Sequence, residues 1–318
     1  MNIALIDVDN FGKLNNCFPN IPLMKISAFH KSKGDNVEWY NSKCHYDICY
    51  VSKVFSFTPD INFNINADNI IFGGSGYAIK MNAGKEIYIK DTDLLPEVEH
   101  IYPDYSLYGI TDTAYGFMSR GCPRGCAFCH VVAKEGKRSY KVADLSEFWK
   151  GQKYIELLDP NMLACDQWKN ILEQLYYSNS YVNFNQGVDI RLMTKEKAEL
   201  IRGLKIKHIH FAWDRIEDGK YIKPKLEEFK RFTNWKRNKV TVYILTNFNT
   251  SISEDIERIE FVRSLNFQPY IMRYDKEHIK RGSEINALAR YVNNKRIFWK
   301  CDSFDQYKID IRKCIRRK

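Results

Sequence analysis

Three cysteines stand close together in the segment from Tyr115 to His130, which reads YGFMSRGCPRGCAFCH. They are Cys122, Cys126 and Cys129, and their spacing is CxxxCxxC. Thiolates are soft ligands that suit zinc or iron–sulfur clusters. Four close cysteines would complete the coordination of a cubane cluster, whereas three leave one iron without a protein ligand. The spacing therefore predicts a metal centre with one position open to a substrate or cofactor.

The residues around the cysteines favour a loop that wraps tightly around its ligand. Gly121 and Gly125 each precede a cysteine, and glycine adopts a positive φ at little cost. Arg120 and Arg124 would offset the negative charge of thiolates and sulfides. The pattern CxxCH, from Cys126 to His130, is also typical of c-type haem attachment, and a zinc ion could use the three cysteines with His130. Plain buried cysteines are the remaining alternative.

Composition limits the class of protein. The chain has 318 residues and is 44% hydrophobic, enough for one large domain or two ordinary ones. It has no long apolar run, and its start, MNIALIDVDN, lacks the features of a signal peptide, so we expect no membrane span and a cytoplasmic location. Nine cysteines, an odd number, argue against a disulfide framework. The net charge of +10 indicates either a nucleic-acid partner or merely a lysine-rich composition.

The elements that must position the cysteines follow a βα alternation. In the first part, strands are predicted at 3–8, 36–40, 47–51 and 69–72, with a helix at 21–33 that Gly34 ends. In the second part, strands are predicted at 113–118, 153–158, 181–185, 208–213, 240–245 and 269–273. Helices are predicted at 144–150, 166–177, 194–202, 224–236, 253–265 and 283–293, with Thr194 and Ser253 as caps. The stretch 84–112 resembles a connector.

This order predicts an α/β protein with three regions. Residues 1–105 would form a Rossmann-like doubly wound domain with its connector, and residues 106–280 a partial (β/α)6 TIM-type barrel. Residues 281–318 would form a basic helical extension. Six βα units fall short of the eight that close a barrel, so the sheet would be curved and open at one side. Its active site would lie at the carboxyl ends of the strands.

In this context, the cysteine segment resembles the signature loop of the radical S-adenosylmethionine superfamily, including the aromatic Phe128 just before the third cysteine. The resemblance covers about residues 110–275. It implies a 4Fe-4S cluster on Cys122, Cys126 and Cys129, whose open iron is chelated by S-adenosylmethionine. One electron, from a donor such as flavodoxin or ferredoxin, cleaves the sulfonium. The 5′-deoxyadenosyl radical then abstracts a hydrogen atom from the substrate.

The resemblance also places S-adenosylmethionine contacts at the ends of successive strands. Phe128 would lie near the adenine, and Asp159 and Asn161 would meet the methionyl ammonium. Ribose hydroxyls and the carboxylate would be bound by residues after the third strand, namely Asn185, Gln186, Asp189 and Arg191. Further candidates after the fifth strand are Thr246 and Asn247. The family often has two glycines and a glutamate where Asp159-Pro160-Asn161 stands here, and Asp and Asn are also ordinary turn residues.

The order of domains resembles the cobalamin-dependent branch of the superfamily. Gly73, Gly74 and Gly76 stand where that branch has glycines facing the cofactor tail, which makes cobalamin a candidate cofactor. The Asp-x-His-x-x-Gly motif that supplies its lower ligand is absent. His30 falls in a predicted helix, outside such a motif.

Two questions of function stay open. The substrate of a radical enzyme would be unknown, and RNA or a peptide, modified by methyl or methylthio transfer, is one alternative. A second alternative is a nucleic-acid-binding protein with a structural metal loop and no turnover. Residues 294–318 combine basic and aromatic side chains, as single-stranded nucleic-acid binders do, or form a packed amphipathic helix. His208 and His210 are interpreted as hydrogen-bonded sheet residues rather than catalysts.

Overall fold

The computed structural model describes residues 1–12, 18–82, 85–89 and 93–308, without the side chains of 81–86. It has two compact units, Met1–Gln174 and Leu175–Lys318. Both are built from parallel β-sheet and helices, which confirms the α/β class. Within the described ranges, no helix has the length and apolar composition needed to cross a membrane.

A four-stranded parallel sheet forms the start of the first unit. Its strands are β1 (Asn2–Asp7), β2 (Asn36–Trp39), β3 (Tyr46–Ser52) and β4 (Ala67–Gly73), in the order β2-β1-β3-β4. Helix α1 (Ile21–Ser32) connects β1 to β2. Alternate residues of β1 point to opposite faces, and both faces are buried, which is typical of a parallel sheet.

The two faces of this sheet are covered differently. Leu23 and Ile26 of α1 cover one face, and Ile61, Phe63 and Ile65 of the irregular segment 53–66 cover the other. The segments 40–45 and 53–66 that join β2 to β3 and β3 to β4 contain no helix. The sheet is therefore parallel as expected, but helices do not wind over both faces through these two connections.

Each end of α1 has a residue type that favours its position. The Asn20 side chain accepts a hydrogen bond from the backbone N–H of Leu23 at the start of the helix. Gly34 has a φ of +82° directly after it, a conformation that favours glycine, which confirms Gly34 as the stop.

Short elements complete the first unit, and the last of them continues past Gln174, the final residue of that unit. In chain order they are α2 (Ser75–Ala78), β5 (Ile79–Asn82), β6 (Lys85–Tyr88), α3 (Pro96–Glu99), β7 (Thr113–Gly116), β8 (Ser119–Arg120), α4 (Val131–Glu135), β9 (Tyr140–Lys141), β10 (Tyr154–Leu157) and α5 (Trp168–Ser178). Strands β5 and β6 pair antiparallel, as do β8 and β9. The stretch predicted as a connector thus contains β6 and α3. The helix predicted at 144–150 is only a 3₁₀ turn, Leu145–Glu147.

The second unit continues the βα alternation. Its elements are β11 (Tyr181–Phe184), α6 (Lys195–Gly203), β12 (Lys205–Ala212), α7 (Gly219–Thr233), β13 (Val240–Thr246), α8 (Ile252–Ser264), β14 (Gln268–Arg273), α9 (Glu284–Asn293) and α10 (Lys295–Lys300). Six strands form one sheet in the order β14-β13-β12-β11-β10-β7. The registers of β7–β10, β11–β12, β12–β13 and β13–β14 are parallel. The six predicted strands are thereby confirmed in sequential order.

Two helix starts differ from those predicted. Helix α7 begins five residues before Pro224, which lies inside it, because Ile222, Leu226 and Phe229 continue one buried stripe through the proline. Helix α8 is capped by Ser251 rather than Ser253. Only Ser251 has a glutamate three residues later, Glu254, and the two form a capping box. Thr194 caps α6 as predicted.

Candidate functional site

The cysteine loop lies between β8 and α4 in the first unit. Cys122 and Cys126 are half-buried and Cys129 is exposed, and none of the three is in a disulfide. The backbone N–H of Cys129 donates to the carbonyl of Cys126 over 3.0 Å, and that of Cys122 to Gly136 over 3.2 Å. The loop is therefore folded back on itself with its thiols on or near the surface.

Gly121 enters this loop where no side chain fits. Its φ is +82°, and a Cβ built on it would lie 2.0 Å from the carbonyl oxygen of Arg138. Gly125 also has a positive φ, +61°, but a Cβ there would meet no atom within 4 Å. The two glycines thus serve different purposes, since Gly121 permits a close backbone approach and Gly125 only a turn.

An ion pair ties the two ends of the loop together. Arg120 Nη1 lies 2.9 Å from Glu135 Oε1, and the backbone N–H of Gly121 donates to Glu135 Oε2 over 2.9 Å. The Arg120 guanidinium also lies 3.6 Å from the ring centroid of Phe117. Glu135 therefore fixes the loop entrance from the far side of the cysteines.

Asp159, at the carboxyl end of β10, holds the chain before the loop. Its Oδ1 accepts from the backbone N–H of Met118 (2.9 Å), and its Oδ2 accepts from the N–H (2.6 Å) and hydroxyl (2.5 Å) of Ser119. The side chain is 3% exposed, and its burial raises the pKa of the carboxyl to about 6 against the opposing effect of these bonds. Asp159 was predicted to bind the methionyl ammonium, but both of its carboxylate oxygens accept hydrogen bonds from the backbone of the first unit.

Asn161 reaches the first cysteine directly. Its Nδ2 lies 3.3 Å from Cys122 Sγ. Its Oδ1 is buried and has no hydrogen-bond partner among the described residues. A buried acceptor without a partner is costly unless a ligand satisfies it. Asp159 and Asn161 were both predicted to bind the methionyl ammonium. Of the two, Asn161 has a buried acceptor atom, Oδ1, that a hydrogen-bond donor of a ligand could satisfy.

The donor set of the loop fits an iron–sulfur cluster. Within the described ranges, no three His, Cys, Asp or Glu side chains converge on the position of a single metal ion. Each thiolate of a cubane binds a different iron, so its ligands need not converge on one point. Three thiols on a glycine-containing loop, beside the unsatisfied oxygen of Asn161, are chemically suited to a cluster and a ligand with an amino group.

Two predicted residues of the second unit engage each other at the carboxyl end of β11. Arg191 Nε donates to Asp189 Oδ1 over 2.8 Å, and Arg191 Nη1 to Asp218 Oδ2 over 2.9 Å. Asp189 also accepts from the backbone N–H of Arg191 and caps a short 3₁₀ turn. Asn185 is half-buried and Gln186 exposed directly before this turn.

Asp214 was not among the predicted site residues, but it lies close enough to Asp189, Asp218 and Arg191 for their charges to act on its carboxyl. It follows β12, and its burial raises the pKa of the carboxyl to about 6, although Arg191 and Arg258 oppose the rise. Arg258 is fully buried and donates to the carbonyls of Trp213 (2.7 Å) and Asp214 (3.0 Å). The signal was present, because Asp214 ends a buried strand just as Asp159 does.

Thr246 and Asn247 follow β13 and have structural contacts. Thr246 is fully buried, with its hydroxyl 3.5 Å from the carbonyl of Met272. Asn247 has a φ of +63° and donates to the carbonyl of Tyr274 over 3.0 Å. His208 Nε2 lies 2.7 Å from Thr241 Oγ1, and His210 Nδ1 lies 2.9 Å from the carbonyl of Phe184. The interpretation of both histidines as hydrogen-bonded sheet residues is confirmed.

The glycines predicted to face cobalamin pack against their own chain. A Cβ on Gly74 would lie 2.5 Å from the carbonyl oxygen of Lys53, and one on Gly76 would lie 2.8 Å from Lys53 Cγ. Gly73 ends β4 just before them. Both ring nitrogens of His30 are engaged, by Asp35 (2.7 Å) and Tyr50 (3.0 Å). These residues do not fit a cobalamin site, and we assign no step to that cofactor.

No protein-family model matches this chain, and no significant match was found among curated proteins.

Proposed function

We propose that this protein is a radical S-adenosylmethionine enzyme whose 4Fe-4S cluster is held by Cys122, Cys126 and Cys129. The observation that carries the proposal is the surroundings of Cys122. Its sulfur lies 3.3 Å from Asn161 Nδ2, and the Oδ1 of the same amide is buried without a partner. A structural zinc loop would need no such unsatisfied acceptor beside it.

When bound, the cluster and S-adenosylmethionine would supply one-electron reductive chemistry that ends in removal of a hydrogen atom from the substrate. The chain's own residues orient these groups. Asn161 Nδ2 donates to the thiolate of Cys122, and its Oδ1 accepts from the methionyl ammonium. Arg120 fixes the loop entrance through its ion pair with Glu135, Arg124 contributes positive charge, and Phe128 provides a ring for the adenine.

The placement of the loop supports the same proposal. It follows β7, the first strand of the six-stranded sheet, and Asp159 and Asn161 follow its neighbour β10. Ligands of parallel α/β sheets bind beyond the carboxyl ends of the strands. This proposal also includes the curvature of a partial barrel, a cytoplasmic location and an electron donor of the flavodoxin or ferredoxin kind. It further includes a substrate such as RNA or a peptide.

The test is anaerobic reconstitution with iron and sulfide, followed by reduction with dithionite and assay for 5′-deoxyadenosine. We expect about four irons per chain and 5′-deoxyadenosine as product. Cys126→Ala should lose both, whereas Cys301→Ala should keep both, because Cys301 is a half-buried cysteine outside the loop. A tightly bound zinc ion with no product would refute the proposal and favour a metal-stapled binding protein.

A further inference from the structure

The amino-terminal ends of β11 to β14 lie along one edge of their sheet, because the strands are parallel. Tyr181 pairs with Lys205, and Thr241 pairs with Gln268. Helix α10 joins this edge, since Trp299 Nε1 donates to Gln268 Oε1 over 2.8 Å. We call this the amino edge of the second unit, made by residues 203–210, 234–241, 265–270 and 293–300 together with Tyr181 at the start of β11.

The sequence of the amino edge contains basic residues and no acidic ones. None of its four segments has an aspartate or glutamate. Its cations are Lys205, Lys207, Lys236, Arg237, Lys239, Lys295, Arg296 and Lys300. The formal charge of +10 on the whole chain is therefore concentrated in part on one edge of one unit.

Several contacts show that these cations converge in space. The backbone N–H of Ile209 donates to the carbonyl of Lys239, so the start of β13 lies beside the middle of β12, two residues after Lys207. Arg237 lies 4.2 Å from the ring centroid of Trp299. Burial lowers the pKa of the His208 ring to about 4, and His210, Lys295 and Lys207 add to the lowering because their charges act on the same ring. The edge thus has a positive local potential.

Four cations of the amino edge are not neutralised by a carboxylate in the part of the chain that the structure describes. Among the described residues, Lys205, Lys236, Arg237 and Lys295 form no salt bridge with a carboxylate. The carboxyl ends of the same strands differ, because Arg191 there is paired with two aspartates.

Helix electrostatics explain one of these cations, Lys300, which lies in the last turn of α10, but not the concentration as a whole. Cations at the last turn of a helix offset its partial negative charge, which accounts for Arg202 and Lys230. Lys205 and Lys239 belong to strand starts instead, and Lys295 is the first residue of α10, where the helix dipole disfavours a positive charge.

Aromatic rings are interleaved with the cations. Lys205 Nζ lies 5.8 Å from the ring centroid of Tyr181, and Lys239 Nζ lies 5.1 Å from that of Trp235. Tyr181 is 42% exposed, and Trp235 and Trp299 are partly exposed. Proteins that bind single-stranded nucleic acids combine cations, which contact the phosphates, with aromatic rings, which stack on the bases.

We propose that the amino edge of the second unit binds single-stranded nucleic acid through its phosphates and bases. This inference does not depend on the proposed radical chemistry. The edge lies at the opposite ends of β11 to β13 from Asp189, Asp214 and Thr246, so it tethers a strand rather than presenting it to reacting atoms. A membrane surface fits less well, because Trp235 and Trp299 are only partly exposed and lie close to cations instead of protruding.

The test is fluorescence anisotropy of the full chain with labelled 20-mers of uridine and of thymidine. We expect both to bind, with an affinity that falls steeply between 50 and 200 mM salt. Lys205→Glu, Lys236→Glu and Lys295→Glu together should weaken binding at least tenfold. They should also lower the slope of log affinity against log salt concentration by about 2, because each phosphate contact of a single strand contributes about 0.7.

The matched control reverses three exposed lysines elsewhere in the second unit, Lys195, Lys220 and Lys276. It changes the net charge equally and should retain most of the affinity. Tyr181→Leu should weaken binding at least about fivefold, whereas Tyr181→Phe keeps the ring and the affinity. Equal losses in the two triple variants, no oligonucleotide binding, or tighter binding to phosphatidylserine vesicles would overturn the proposal.

Discussion

The carboxylate of Asp159 accepts hydrogen bonds from both the backbone N–H and the hydroxyl of Ser119, three residues before Cys122. The pair joins the carboxyl end of β10 to the start of the cysteine loop. A residue predicted to bind a cofactor is thereby also the main fixed point of the loop that would hold the cluster.

Replacing Asp159 should loosen that loop. Asp159→Asn leaves one of three donors without an acceptor in a buried site, which we expect to cost about 1–3 kcal/mol of unfolding free energy. Iron incorporation should fall with it, measured as iron per chain after reconstitution. Asp166→Asn is the control, because Asp166 is 79% exposed. Unchanged iron and stability in Asp159→Asn would contradict the assigned role.

The two loop glycines should respond differently to a methyl group. Gly121→Ala places a Cβ 2.0 Å from the Arg138 carbonyl at a φ of +82°, so the loop must move and iron binding should be lost. Gly125→Ala meets no atom and should cost only the left-handed strain of about 1–2 kcal/mol. Iron content and melting temperature measured side by side check this contrast, which equal effects would disprove.

Asp214 should make stability depend on pH. Its folded pKa of about 6 exceeds the ordinary 3.8, so the folded state holds the extra proton between these values. The free energy of unfolding therefore falls as pH rises from about 4 to 6, and the penalty is complete above that range.

Asp214→Asn should remove that penalty. We expect the variant to be more stable than the wild type by about 1–2 kcal/mol at pH 7.5, with the difference vanishing near pH 4. Since Asp159 has a pKa of about 6 as well, only the difference between the two unfolding curves isolates Asp214. A constant difference across pH would refute the assignment.

Arg258 should be among the most sensitive positions of the second unit. It is fully buried, pairs with buried Asp255 and donates to the carbonyls of Trp213, Asp214 and Leu245. Arg258→Met leaves Asp255 charged and uncompensated, so urea unfolding should show a loss of about 3–5 kcal/mol. Adding Asp255→Asn should recover part of it, and a purely additive double variant would argue against the pair.

Helix ends could be predicted from the sequence wherever a single residue type determines them. Gly34 ends α1 and Thr194 caps α6 because glycine and threonine favour those positions by themselves. Period and composition likewise gave all six strands of the larger sheet. The local pattern was also wrong in one place, because a proline is typical of a helix start, whereas the buried stripe of α7 continues through Pro224.

The site divides along the same line. The cysteines, their glycines and the acidic residues at strand ends were determined by the sequence, because their types and spacing are visible along the chain. Only tertiary structure decided that Asp159 clamps Ser119, that Asn161 Nδ2 reaches Cys122 and that Arg191 is held by Asp189 and Asp218. Partners such as Asp159 and Ser119 are far apart in sequence. Whether two such side chains meet depends on strand order and register, and no local sequence pattern specifies either.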